Sequence, residues 1–208
     1  MMNVSEGYGI IKIGGRSFEL TPSFYNINKI GDPKEVIDIY NNIASGHGSL
    51  VSVFIDAINV VYNCGINDYK ILGSVKFNEK TGKTKILQGV IPYDEVIILA
   101  QHCLMHGVSG SSNQVKKAKA KNKINVVKEF SSYSYILSCV EYLGMSYEEA
   151  EKTTMTRYIN LIGAKLTDMR NRGELDHVAD NETDKIAYER HLDIVKKRNE
   201  NRKKKLKG

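Results

Sequence analysis

The pattern of hydrophobic and polar residues divides the chain into two strand pairs and several helices. Residues 10–13 and 16–20 are rich in β-branched and aromatic side chains and flank Gly14-Gly15. Glycine adopts the positive φ that a two-residue turn requires, so this segment is predicted to be an N-terminal β-hairpin. The turn-rich stretch between Asn67 and Gly89 lies between short apolar runs and is predicted to be a second hairpin.

Helix-start signals follow the first hairpin. Thr21-Pro22 has the form of an N-cap followed by proline in the first turn, which predicts a short helix beginning there. Asp32-Pro33, with Glu35 three residues after the cap, predicts a second helix that ends near residue 44.

Three longer segments space their apolar residues three or four positions apart, as does a helix that buries one face. Each is followed by a glycine, which is the usual residue just beyond a helix end. The segments are 49–63, 93–106 and 129–143, and the glycines are Gly65, Gly107 and Gly144.

The segment from Cys139 to Lys165 combines these signals most densely. Ser146 and Glu149 have the spacing of a capping box, in which each side chain bonds the other residue's backbone N–H. A longer helix is predicted after Thr153-Thr154, with one apolar stripe. The stripe is formed by Met155, Tyr158, Ile159, Ile162 and Leu166.

These elements predict a mainly α (α+β) fold. It comprises a helical domain with an N-terminal β-hairpin, a basic internal loop and a charged C-terminal helix. The predicted organisation is an N-terminal hairpin with helices over 1–107, a basic linker over 108–128, a helical hairpin over 129–172, and a charged C-terminal helix with a basic tail over 173–208.

Charge is distributed unevenly along the 208 residues, although the overall balance is only +6. Residues 196–208 contain eight Lys or Arg and one Glu, and residues 108–128 contain six Lys and no acid. The rest of the chain is therefore acidic, and it carries two basic arms.

Several classes of protein are disfavoured. The three cysteines lie singly in apolar surroundings, as expected of buried free thiols in a cytoplasmic protein. No window has the length and apolarity of a membrane helix, and the N-terminus does not resemble a signal peptide. We expect no membrane association. No nucleophile elbow, phosphate loop or paired carboxylates appear, so we expect a non-enzymatic protein without a cofactor.

His102 and His106 lie one helical turn apart and could in principle share a metal ion. However, the position next to His102 holds Cys103 where the HEXXH motif has Glu, and no third ligand is evident. We therefore expect these histidines to be structural and predict no metal site.

The lysine runs support an alternative hypothesis, a basic accessory protein that binds nucleic acid by releasing counterions from phosphates. They lack the interleaved aromatic or arginine residues that stack on bases, so specific recognition is not expected. The Gly144 region also has the outline of a helix-turn-helix, but burial of its apolar stripe favours a structural helical hairpin. The candidate contacts are Lys116, Lys117, Lys119, Lys121, Lys123, Lys203, Lys204 and Lys205.

The Gly144–Glu151 text GMSYEEAE, followed by Met155-Thr156, resembles a helix pair in tail assembly chaperones and minor tail proteins of tailed phages. The opening, with Ile13–Phe18, Thr21–Phe24 and Ile30–Pro33, also resembles the start of an uncharacterised phage family of similar length. Resemblance extends over most of residues 8–165, but none of these motifs is catalytic, and the charged segment after Lys165 departs from the pattern.

This resemblance implies a chaperone that keeps the apolar tape-measure protein soluble in the host cytoplasm and delivers it to the tail-tube protein. A structural adaptor or minor tail protein of the virion is the other reading that it allows, and a homo-oligomer is compatible with both. Such a chaperone binds through an apolar helix face, although the sequence favours burial of the Met155–Ile162 stripe in the core over its contact with a partner. The candidate contacts are Met155, Tyr158, Ile159, Ile162, Ile186 and Ile194.

Overall fold

The computed structural model describes residues 6–45, 48–110 and 129–172. Within them the fold is mainly helical with two antiparallel β-hairpins, one of them N-terminal, which confirms the predicted class. The elements in chain order are β1 (Gly9–Ile13), β2 (Arg16–Leu20), α1 (Phe24–Asn28), α2 (Pro33–Ser45), α3 (Leu50–Cys64), α4 (Tyr69–Leu72), β3 (Gly73–Asn78), β4 (Lys83–Gln88), α5 (Tyr93–Leu104), a π-helical turn (Met105–Ser109), α6 (Ser132–Leu143), α7 (Tyr147–Glu151) and α8 (Met155–Asn171).

The first hairpin forms as predicted. Ile13 pairs with Arg16, which leaves Gly14 and Gly15 as the two turn residues with φ of +52° and +80°. Two successive positive φ angles define the turn whose twist matches that of the strands.

Helix α1 begins later than predicted, because Ser23 rather than Thr21 is its N-cap. The Ser23 hydroxyl accepts a hydrogen bond from the Asn26 amide, whereas the Thr21 amide donates to the Cys64 carbonyl at 2.7 Å. That second bond holds Thr21 in an extended connection, outside the helix. Asp32 does cap α2 as predicted, and Glu35 bonds back to the Asp32 amide at 2.8 Å.

Helices α3 and α5 pack against each other at the centre of the molecule. Helix α3 ends at Gly65 as predicted, but α5 does not end at Gly107. The chain instead widens into the π-helical turn and leaves it at Gly110, whose φ is +76°. A Cβ at Gly107 would lie 2.7 Å from Ile27 Cδ1, so this glycine permits close packing rather than ending the helix.

The second hairpin is also confirmed. Strands β3 and β4 pair from Gly73 with Gln88 to Asn78 with Lys83, and the turn closes at Gly82, whose φ is +64°. Val75 and Ile86 are opposite each other and pack against the core.

Helix α6 begins at Ser132, three residues later than predicted. The Phe130 amide donates to the Pro33 carbonyl at 2.7 Å, which ties the preceding chain to the start of α2. The remaining signals are confirmed: Gly144 is left-handed with φ of +69°, and Ser146 and Glu149 form the capping box.

The predicted segments 1–107 and 129–172 contribute to one hydrophobic core. Phe24 of α1 stacks on Tyr135 of α6 at 5.5 Å between ring centroids and meets Tyr158 of α8 edge-on at 6.1 Å. Residues 111–128 of the predicted linker and the charged segment from 173 lie outside the described residues. None of the described helices has the length and apolarity required to cross a membrane.

Candidate partner-binding face

Helix α8 carries the residues that the sequence analysis placed at a partner interface. Its N-cap, Thr154, forms an isolated bridge with Ser23, and the Phe24 amide donates to the Thr153 carbonyl at 2.9 Å. The first turn of α8 is therefore held against the start of α1, and this contact determines which side of α8 faces the core.

Met155 and Tyr158 lie in the core, with 2% and 0% of their surface exposed. The Tyr158 ring meets Phe24 and Tyr135 edge-on, and its hydroxyl lies 2.9 Å from Ser138 Oγ. The structure therefore corrects the assignment of these two residues as partner contacts, because they present no surface to another molecule.

Ile159 and Ile162 are half-buried and pack against the edge of the core. Four and seven residues after Ile162, Leu166 and Met169 are also half-buried, although neither belongs to the core cluster. Residues at this spacing lie on one side of a helix. The apolar stripe thus leaves the core at Ile159 and continues along the outer half of α8.

Met169 was missed in the sequence analysis, although it continues the i, i+3, i+4, i+7 spacing of the stripe. We define the apolar α8 face by the four side chains that are half-buried on this stripe: Ile159, Ile162, Leu166 and Met169.

The outer half of α8 has one polar contact with a neighbouring helix and one ion pair within itself. Lys165 Nζ donates to the Tyr142 carbonyl near the end of α6, which tethers α8 to α6 beyond the core. Further along, Arg172 and Asp168 form an exposed i, i+4 ion pair at 3.2 Å. Exposed pairs of this kind contribute little to stability, so α8 owes its position mainly to its first two turns.

The other predicted contacts lie outside the described residues. These are Ile186 and Ile194, and the lysines of the nucleic-acid hypothesis, namely Lys116, Lys117, Lys119, Lys121, Lys123, Lys203, Lys204 and Lys205.

His102 and His106 lie beside the N-terminus of α8, with their ring centroids 4.5 Å apart. His106 Nδ1 is 2.9 Å from the Thr156 hydroxyl, and the pKa of His106 is lowered by burial. Burial, followed by repulsion from His106, lowers the pKa of His102 to about 4, while a hydrogen bond with the Gly7 backbone opposes the shift. Both rings are thus held in an environment that favours the neutral form.

The described residues contain no group of three or more His, Cys, Asp or Glu side chains placed to hold a metal ion. The three cysteines are free and buried. A hydrogen bond with Cys103, together with burial, raises the pKa of the Cys64 thiol well above its usual value. Burial raises the pKa of Cys139 to about 12. Thiols in this state are poor nucleophiles and poor metal ligands.

Comparison with known proteins identifies one family. Residues 48–185 match the family described as "Family of unknown function (DUF6246)", and this stretch includes α3 to α8. No curated protein and no solved structure gives a significant match.

Proposed function

This chain belongs to the DUF6246 family of unknown function, and we propose that it is a non-enzymatic tail assembly chaperone of a tailed phage. In this role it binds the tape-measure protein in the host cytoplasm and assists assembly of the tail tube. The proposal rests on the resemblance of the Gly144–Glu151 segment and Met155-Thr156 to such chaperones, together with one structural observation.

That observation is the partial exposure of the apolar α8 face. A helix that only completes a core buries its apolar stripe along its whole length, whereas α8 buries Tyr158 completely and leaves Leu166 and Met169 half-buried. The described residues therefore leave about two turns of the stripe only partly covered, where a second apolar helix could pack.

A tape-measure protein is long and rich in apolar helical segments, so it requires cover until it is packed inside the tube. The apolar α8 face suits a helix-on-helix contact, in which side chains at i, i+3, i+4 and i+7 anchor the partner. The surface that makes this contact is short, and in the free protein it is only partly buried. Both properties suit a chaperone that must release its client.

Co-expression with the tape-measure protein tests the proposal. The wild-type chain is expected to move the tape-measure protein from the insoluble to the soluble fraction. The double variant Leu166→Glu/Met169→Glu is expected to lose this effect, because two charges would enter the contact. Asn160→Glu/Ala164→Glu is the matched control, since it adds the same two charges at exposed positions on the opposite side of α8.

Equal insolubility of the tape-measure protein with and without the wild-type chain would refute the chaperone function. If the wild type and the double variant solubilise the tape-measure protein equally, the apolar α8 face is not the surface that binds it. Mass spectrometry of purified virions addresses the alternative of a structural minor tail protein, because a chaperone is absent from finished particles.

A further inference from the structure

The β3–β4 hairpin has a cationic outer face. Directly paired residues of an antiparallel hairpin project from the same side, and every second residue along each strand joins them. The register pairs Lys76 with Lys85 and Lys83 with Asn78. We define the lysine face as the side of the hairpin that carries Ser74, Lys76, Asn78, Lys83, Lys85 and Leu87.

The lysine face points away from the core because the opposite side of the hairpin packs against it. Val75 and Ile86 alternate with the lysines and pack against the core, while Lys76, Lys83 and Lys85 are exposed. A one-residue slip in register would bury the lysines and expose both apolar side chains, so the orientation is strongly determined.

The lysine face is not neutralised by any side chain in the described part of the chain. Among the described residues, no carboxylate forms an ion pair with Lys76, Lys83 or Lys85. Lys76 and Lys85 are also directly opposite each other, an arrangement that destabilises a strand pair. The only acid in the hairpin is Glu79, in the turn, where Lys80 follows it. An external polyanion would relieve this repulsion.

The chemistry of the lysine face favours the phosphate backbone of a duplex. Lysine contacts a phosphate as a point charge and reads no sequence. The lysine face has no aromatic or arginine side chain on which an unpaired base could stack, and Phe77 belongs to the opposite side of the hairpin. Single strands are therefore less suitable ligands than a duplex.

We propose that the lysine face binds the phosphate backbone of duplex DNA without sequence preference. Strands of six residues span about 20 Å, which lets several phosphates be contacted at once. This activity is independent of the chaperone function, because it uses a different surface and a different ligand.

The test measures binding of the full chain to a fluorescent random-sequence 20-base-pair DNA duplex over a range of salt concentrations. The variant Lys76→Gln/Lys83→Gln/Lys85→Gln is compared with Lys12→Gln/Arg16→Gln/Lys34→Gln. The control removes the same charge from exposed positions of β1, β2 and α2. Both variants retain all other basic residues, including those of 108–128 and 196–208, so these contribute equally to both measurements.

The hairpin variant is expected to bind about tenfold more weakly than the control variant, with a salt dependence of log K shallower by about two to three. Equal affinity and equal salt slopes for the two variants would overturn the proposal. Polyglutamate of matched length serves as a second polyanion. If the three lysines contribute to binding of polyglutamate but not of the duplex, the ligand of the lysine face is an acidic protein, and the proposal is overturned as well.

Discussion

The hydroxyl groups of Ser138 and Tyr158 lie 2.9 Å apart inside the core, where they join α6 to α8. Both residues are almost completely buried. A buried hydroxyl requires a partner, because removing it from water without one costs more free energy than the bond contributes when it is present. This pair therefore helps to hold α8 against α6.

Replacing Tyr158→Phe is expected to lower the free energy of unfolding by about 1–2 kcal/mol, because the Ser138 hydroxyl loses this partner while the ring packing remains. Urea unfolding measures the change. In a double-mutant cycle with Ser138→Ala, the double variant should lose less than the sum of the single variants. Strict additivity would show that the two hydroxyls are not coupled. Tyr133→Phe is the control, because Tyr133 is 55% exposed.

Two glycines without neighbours within 4 Å should respond oppositely to alanine. Gly144 has φ of +69°, so Gly144→Ala is expected to destabilise the fold by about 1 kcal/mol through backbone strain alone. Gly163 lies inside α8, so Gly163→Ala should stabilise the fold by about 0.5–1 kcal/mol. Thermal unfolding of both variants decides the matter, and changes of the same sign would contradict the prediction.

Stability should fall as the pH is lowered from about 7 towards 4. The pKa of His102 is about 4 in the folded protein against 6.5 for a free histidine, so the unfolded chain binds more protons within this window. The stabilisation is complete above pH 6.5 and is lost as the pH falls towards the folded pKa. After allowance for partial exposure, we expect a loss of about 2 kcal/mol.

His102→Gln should reduce this dependence between pH 7 and 5, as measured by urea unfolding at each pH, whereas the lowered pKa of His106 leaves a residual slope in the variant. The Glu148 and Glu149 carboxyls have lowered pKa values, because they accept hydrogen bonds from Lys152 and Ser146 respectively, and they affect stability only below about pH 4.5. An unchanged slope above pH 5 in His102→Gln would assign the effect to other groups.

Replacing Lys85→Glu is expected to raise the free energy of unfolding by about 0.5–1 kcal/mol, because it converts a repulsive cross-strand pair with Lys76 into an attractive one. The control is Lys83→Glu, which faces the neutral Asn78 and should change stability less. Chemical denaturation at low and high salt checks the cause, since the difference between the variants should shrink as salt rises.

The local elements could be derived from the sequence because their signals are local. Gly14-Gly15 specifies the hairpin turn, and Ser146 with Glu149 specifies the start of α7, through bonds within a few residues. The start of α1 was placed wrongly because a distant carbonyl, that of Cys64, takes the Thr21 amide. Likewise, Gly107 was wrongly predicted to end a helix. Its real role is a close contact with Ile27, which the sequence does not show.

The sequence by itself determined the secondary structure class, the helix caps and the existence of an apolar stripe on α8, since these depend on side-chain type and spacing along the chain. Tertiary structure alone decided which part of that stripe is buried, because the contact of Thr154 with Ser23 orients α8 on the core. It also decided that Lys76 and Lys85 face each other, because strand register pairs residues nine positions apart in the chain.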